Sequence, residues 1–331
     1  MSPRTVVSVI TPVYNETGVI DSFYERLARS LDGAGVGEWE LIFVDDGSED
    51  SSAEELQAIV CKDERVKCVH LSRNFGQEQA VAAGIDQAVG QAVVLIDVDL
   101  QDPPEIIPKM IAKWREGYQV VYGTRSSRRG ENWFKLLSAK FFYRLIDRIT
   151  DIEMPLDSGM FRLLDRQVIQ ALQQMPERHR FLRGMTSWVG FRQTGVLYDR
   201  DERRIGSTKY PFRKMFLLSL DAITSFSYFP LQLMLYASLF LILVSMGLVP
   251  VILILRLGRG PDFFGGQATS ILLILLLSAF QLFFLFIIGQ YVGRIFDEVR
   301  QRPLYLIREH DHAETGKTLP ASPEDETEDR R

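Results

Sequence analysis

The chain has 331 residues, 46% of them hydrophobic, and a formal charge of −5 at pH 7. That leaves room for about two domains and a sizeable core, and it argues against a nucleic-acid binder, whose surface is usually basic. Cys61 and Cys68 lack a CxxC spacing and the four histidines form no ligand pattern with them, so neither a zinc site nor a disulfide framework is implied.

Met1 to Val7 carries one arginine and no small-residue cleavage site, so it does not read as a signal peptide. From Val6 to Thr124 short apolar runs alternate with amphipathic stretches, the pattern of βαβ units and an α/β fold around a mainly parallel sheet. The expected strands are Val6 to Ile10, Glu40 to Asp45, Val66 to Leu71, Ala92 to Asp97 and Gln119 to Gly123. Their nearly continuous β-branched character suits strands covered on both faces. Helices are expected at Gly18 to Leu31, Ser51 to Val60, Gln77 to Val89 and Pro104 to Arg115, the last opened by a proline pair. Ligands of such sheets bind beyond the carboxyl ends of the strands. Here those ends read Thr11-Pro12-Val13-Tyr14-Asn15-Glu16, Asp45-Asp46-Gly47-Ser48, Ser72-Arg73-Asn74 and Asp97-Val98-Asp99-Leu100-Gln101-Asp102, which together make one acidic, phosphate-competent site.

Basic residues gather at Arg125 to Arg129, after which Trp133 to Thr150 reads as an amphipathic helix, apolar at Phe134, Leu137, Phe141, Leu145 and Ile149. It either lies in a membrane interface or completes the core. Between Asp221 and Arg256 roughly 34 residues are uncharged, and between Asp262 and Arg294 roughly 31, where about 20 suffice to cross a bilayer. Two membrane helices are therefore expected at 228–255 and 264–292, joined in a hairpin by a short linker. Lys209, Arg213, Lys214, Arg294, Arg300, Arg302 and Arg308 flank the hairpin on the termini side, against Arg256 and Arg259 in the linker, so both termini are expected in the cytoplasm. The resulting division is a cytosolic catalytic domain over 1–210, an interface helix over 211–227, the hairpin, a cytosolic juxtamembrane segment over 293–309, and a tail over 310–331 rich in Glu, Asp, Pro and Thr that is expected to be disordered.

Asp97-Val98-Asp99 sits where a strand ends, and two carboxylates on an extended segment can hold a hard divalent cation that bridges diphosphate oxygens. When a sugar leaves a nucleoside diphosphate, charge builds on the departing phosphate, and Mg²⁺ or Mn²⁺ can neutralise it. Asp45 and Asp46 can accept hydrogen bonds from a base or ribose, or simply form an Asp-Asp-Gly-Ser turn.

In order and spacing these segments resemble the family 2 glycosyltransferases with the GT-A fold, and most of all the dolichol-phosphate mannose synthases and the bactoprenol glucosyltransferases of the GtrB type. The resemblance runs over about the first 300 residues. It implies that Pro12, Tyr14, Glu16 and Asp45 line a nucleoside pocket with Asp46 and Arg73 near it, and that Asp97, Asp99 and Gln101 bind the metal. In Leu156-Asp157-Ser158-Gly159-Met160-Phe161-Arg162, Asp157 matches the family's proposed catalytic base. The later stretch Arg203-Arg204-Ile205-Gly206-Ser207-Thr208-Lys209 carries Ser-Thr where the family more often has Glu-Ser, but keeps Arg203, Gly206 and Lys209. Arg125, Arg203 and Lys209 suit a lipid phosphate, although the last two also serve as ordinary membrane-flanking cations.

The implied reaction is inverting transfer of a hexose, glucose first, from a UDP-sugar to undecaprenyl or another polyprenyl phosphate. It would take place at the cytoplasmic face of a bacterial inner membrane, in a protein with helical surface left for self-association. A phosphate monoester, with its second pKa near 6, attacks without prior proton removal, so Asp157 is either a base or an orienting group. GDP-mannose or UDP-GlcNAc is the alternative donor, and a non-catalytic membrane scaffold the alternative of another class. A processive synthase would carry QxxRW, and a dinucleotide enzyme GxGxxG after the first strand; neither motif is present.

Overall fold

The computed structural model describes residues 7–34, 36–125, 158–178, 180–199, 229–259 and 267–311. The expected helices over 134–150 and 211–227, together with Asp157, Arg203 and Lys209, lie outside these residues.

The first half alternates as the sequence pattern requires: β1 (Val7–Val13), α1 (Ile20–Gly33), β2 (Trp39–Asp45), α2 (Ser52–Val60), β3 (Val66–Leu71), α3 (Gln77–Gln87) and β4 (Ala92–Leu95). A 3-10 turn over Pro104–Ile106 then leads into α4 (Ile107–Arg115), followed by β5 (Val120–Arg125). α1 shows why these helices form. Ile20, Phe23, Leu27 and Leu31 recur at three- and four-residue spacing and are fully buried, so one face packs on the sheet. Removing Phe23 alone from water contributes roughly 1.5–3 kcal/mol. α3 lies so close to β1 that a Cβ at Gly84 would stand 2.3 Å from Ile10 Cγ2.

The second half departs from the simple alternation. β6 (Ser158–Asp165), α5 (Arg166–Gln173), α6 (Leu182–Trp188) and β7 (Gln193–Tyr198) complete the α/β unit. α7 (Phe229–Arg259) and α8 (Gln267–Arg300) are the two long apolar helices, and β8 (Ile307–Asp311) returns to the sheet. The strand order is β7-β5-β6-β4-β1-β2-β3-β8. Four pairings are parallel, but β6 runs against both β4 and β5, and β8 runs against β3, so the sheet is mixed rather than mainly parallel. Apolar clusters fill both faces, one under α1, α2 and α4, the other under α3, α5 and α6.

Several boundaries move: β1 runs on to Val13, β4 stops at Leu95 and α7 reaches Arg259. α8 runs past Val292 to Arg300, and the segment expected to be disordered from 310 begins inside β8, where Val69 faces His310 and Cys68 faces Asp311. Charged side chains hid this strand from a hydropathy reading, yet they are what an edge strand tolerates. Among the described residues one segment, Leu277–Arg300, is long and apolar enough to cross a membrane by length and composition.

Candidate active site

Strand direction alone assembles the site. β1, β2, β3 and β4 are parallel, so their carboxyl ends share one edge of the sheet. β6 is antiparallel to β4, with Leu95 facing Arg162, which brings the beginning of β6 to that edge. β5 and β7 run with β4, and Thr124 faces Ser158, so the backbone of Arg125 and the first residue of β6, Ser158, are delivered to the same edge.

The loops there are tied to one another. Asn15 adopts φ 55°, a left-handed conformation that asparagine tolerates, and its side chain accepts from Glu49 N at 2.8 Å while its own N–H donates to Ser48 Oγ at 3.1 Å. Glu16 N donates to Ser52 Oγ at 2.9 Å and Gly18 N to Glu55 Oε1 at 2.9 Å. The loop after β1, with Pro12, Tyr14 and Glu16, is thereby fixed against the loop after β2. Gly47, at φ 70°, is required: a Cβ there would lie 2.5 Å from the carbonyl carbon of Arg73.

Asp45 and Asp46 are both buried and do different things. Asp45 Oδ2 lies 2.9 Å from His70 Nδ1, its register partner on β3, and Oδ1 accepts from Ser48 N at 2.9 Å. Burial alone would raise its pKa, but the hydrogen bonds from His70 and Ser48 outweigh it and hold the carboxyl below its ordinary value. Asp46 spends one oxygen on Phe75 N at 2.7 Å and the other on Gly76 N at 2.9 Å. Here burial wins over those bonds and the pKa is raised. Asp46 therefore shapes the loop that carries Arg73, whose guanidinium lies 4.2 Å from the Phe75 ring centre.

Beyond β4 the chain turns sharply through Leu100, which adopts φ 60°. A bulky residue there costs of order 1–3 kcal/mol, and Leu100 is buried, which contributes roughly 1.5–3 kcal/mol in return. The turn also holds Gln101 N against Asp99 Oδ1 at 3.1 Å, and the buried Asp102 accepts from Tyr198 Oη on β7. Asp97 takes a hydrogen bond from Gln77 Nε2 at 2.6 Å. Burial, then Asp102 and Asp99 beside it, push its carboxyl up to about 7. Acidic side chains are thus crowded at this tip. Among the described residues no three acidic, histidine or cysteine side chains form a cage for a metal. Two carboxylates and an amide fit a small hard cation that takes its remaining ligands from substrate phosphates and water.

Gln77, His70 and Tyr198 stand outside the motifs, and Asp102 enters them only as the last residue of the strand-four end. Register could have found His70, opposite Asp45; Gln77 opens a helix next to Asp97 only through the fold.

The family described as glycosyl transferase family 2 matches residues 8–173. The chain is 47% identical over 93% of its length to the uncharacterized glycosyltransferase YkcC of Bacillus subtilis, covering 95% of that protein. It is 44% identical to an uncharacterized glycosyltransferase of Synechocystis, with 91% of this chain and 94% of that one covered. It is 37% identical to the bactoprenol glucosyl transferase of Shigella phage SfX, with 91% of this chain and 98% of that one covered.

Proposed function

The chain belongs to glycosyl transferase family 2, and from that premise we propose that it moves glucose from UDP-glucose to a polyprenyl phosphate, undecaprenyl phosphate, at the cytoplasmic face of a bacterial inner membrane. The observation that carries this reading is similarity over nine-tenths of the chain to proteins named bactoprenol glucosyl transferase, from several Shigella phages. The sheet edge supplies the chemistry: the Asp97-Val98-Asp99 turn stands among strand ends that also bring Asp45, Arg73 and Arg125.

In this reading Pro12, Tyr14, Glu16 and Asp45 receive the nucleoside, with Arg73 near it and Asp46 holding the loop between them. Asp97, Asp99 and Gln101 are the residues that would hold Mg²⁺ or Mn²⁺. Such a cation, when bound, supplies positive charge against the departing diphosphate. An oxygen of the acceptor phosphate forms a bond to the anomeric carbon while the bond from that carbon to the diphosphate breaks. The electron pair leaves on UDP and the configuration inverts. Because the phosphate is already largely ionised at neutral pH, Asp157 orients the acceptor or the sugar hydroxyls rather than removing a proton. Arg125, Arg203 and Lys209 meet the lipid phosphate, for which guanidinium forks are well shaped.

α7 and α8 form the membrane hairpin in this proposal, with both termini cytoplasmic. On α8, Leu282, Phe283, Leu285 and Phe286 are each more than half exposed, surface that a bilayer would cover. Holding the catalytic edge in the plane where the lipid phosphate travels converts an encounter in volume into one in a layer.

The test is to offer the purified, detergent-solubilised protein UDP-glucose, UDP-GlcNAc and GDP-mannose in turn, with polyprenyl phosphate and Mg²⁺ or Mn²⁺, and to identify the lipid product by mass. A glucosyl phospholipid from UDP-glucose alone is expected. A product from another donor overturns the choice of sugar, and no lipid product from any donor overturns the reaction.

A further inference from the structure

Asp97 accepts from the Gln77 amide at 2.6 Å, and Gln77 opens α3. The next residue, Glu78, accepts from Leu182 N at 3.3 Å, and Leu182 opens α6. The first turns of α3 and α6 are therefore seated against each other beside Asp97, and the second residue of α6 is Arg183. Its side chain is exposed, and among the described residues its guanidinium makes no hydrogen bond or ion pair. Its backbone stands one residue past Leu182, whose bond to Glu78 seats this turn against the start of α3, where Gln77 reaches Asp97.

The neighbouring cation is already committed. Arg162 is buried, donates from Nη2 to Gly159 O at 2.8 Å and from Nη1 to Thr186 Oγ1, and so ties the start of β6 to α6. Thr186 in turn donates to Arg183 O at 3.1 Å, which anchors the Arg183 backbone while its side chain stays available. A fixed backbone, an unspent fork of donors and an acidic turn alongside describe a group that meets an anion brought to that turn.

We propose that Arg183 is a further substrate-binding residue that holds a phosphate oxygen next to the Asp97-Val98-Asp99 turn, opposite the carboxylates. This rests on the transferase reading above. The phosphate belongs to the nucleoside diphosphate of the donor or to the phosphate of the lipid acceptor, and both carry the same chemistry.

Arg183→Gln and Arg183→Lys separate the sources. UDP and uridine are titrated calorimetrically in the presence of Mn²⁺, and KM for polyprenyl phosphate is measured with donor saturating. If the donor diphosphate is held, UDP affinity drops about tenfold in Arg183→Gln, uridine affinity does not move, and Arg183→Lys recovers part of the loss. If the acceptor phosphate is held, KM for the lipid rises by about the same factor while UDP binds as before. Unchanged UDP affinity together with unchanged lipid KM overturns the assignment, including when kcat alone falls. Loss of the transferase reading looks different: the unsubstituted protein would then bind no UDP and form no lipid product.

Discussion

At the carboxyl edge of the sheet, backbone N–H groups of one loop end on side chains of the next, as Phe75 and Gly76 do on Asp46 and Glu16 does on Ser52. Along α8 the contrary holds, with Leu282, Phe283, Leu285 and Phe286 all more than half exposed. The first region satisfies its polar groups from within and arrives preorganised. The second carries apolar surface that only an apolar surrounding would satisfy. On the proposed reading the comparison teaches a division of labour: the donor end of the reaction is built by protein contacts, and the acceptor end is completed by the phase in which the lipid lives.

The contrast breaks most visibly at α8. Replacing both Leu282 and Leu285 by arginine costs about 5–7 kcal/mol of insertion free energy if these positions sit in hydrocarbon. The variant should pass from the alkali-resistant membrane fraction to the extractable one. Retention equal to the unsubstituted protein would mean that α8 does not cross the bilayer.

At the other region Asp97→Asn and Asp99→Asn should each lower transfer about a hundred- to a thousandfold, since each removes a carboxylate proposed to hold the charge-neutralising cation. Thermal midpoints measured alongside separate loss of chemistry from loss of fold. Full turnover in either variant would detach the turn from the chemistry.

Asp46→Ala sharpens the comparison within the loops. It leaves the N–H groups of Phe75 and Gly76 without their acceptor, a loss of about 1–3 kcal/mol that a urea titration reads directly. UDP affinity should weaken as well, because the loop bearing Arg73 loses its anchor. A stable variant with weakened UDP binding would instead make Asp46 a direct ligand.

Much of the first region was legible in sequence. Short β-branched runs ended in Asp45-Asp46-Gly47-Ser48 and Asp97-Val98-Asp99, and both segments do lie at the shared edge. β6 was not legible: Arg162 interrupts its apolar run, and only burial against Gly159 O and Thr186 reconciles that arginine with a central strand. β7 and β8 were missed for a related reason. Gln193–Tyr198 is half exposed and Ile307–Asp311 is charged, so neither shows the continuous apolar character that marks a covered strand. With β6 unseen, the sheet looked parallel, and the edge to which Ser158 returns could be inferred only from resemblance. The hydrogen bond from Gln77 to Asp97 joins residues 20 apart in sequence, a relation that no local pattern carries.

The smallest effect concerns acid. Asp45 has a folded pKa below its ordinary 3.8, because the bonds from His70 and Ser48 outweigh burial. Its contribution to stability is therefore complete above the ordinary carboxylate range and drains as pH falls through the lowered folded value. Asp46 works in the opposite direction. Burial raises its folded pKa, so its ionisation weakens the fold as pH rises through that value, and protonation relieves the penalty. In the parent the two slopes oppose each other. Asp45→Asn removes the first and lessens the second, to which the Asp45 charge contributes, so the variant should be modestly less stable than the parent near about pH 7, with the gap closing toward about pH 3. Urea midpoints across that range measure it. A gap that stays constant with pH would show that Asp45 supports these loops through shape rather than charge, and would leave His70 as a packing neighbour instead of a partner.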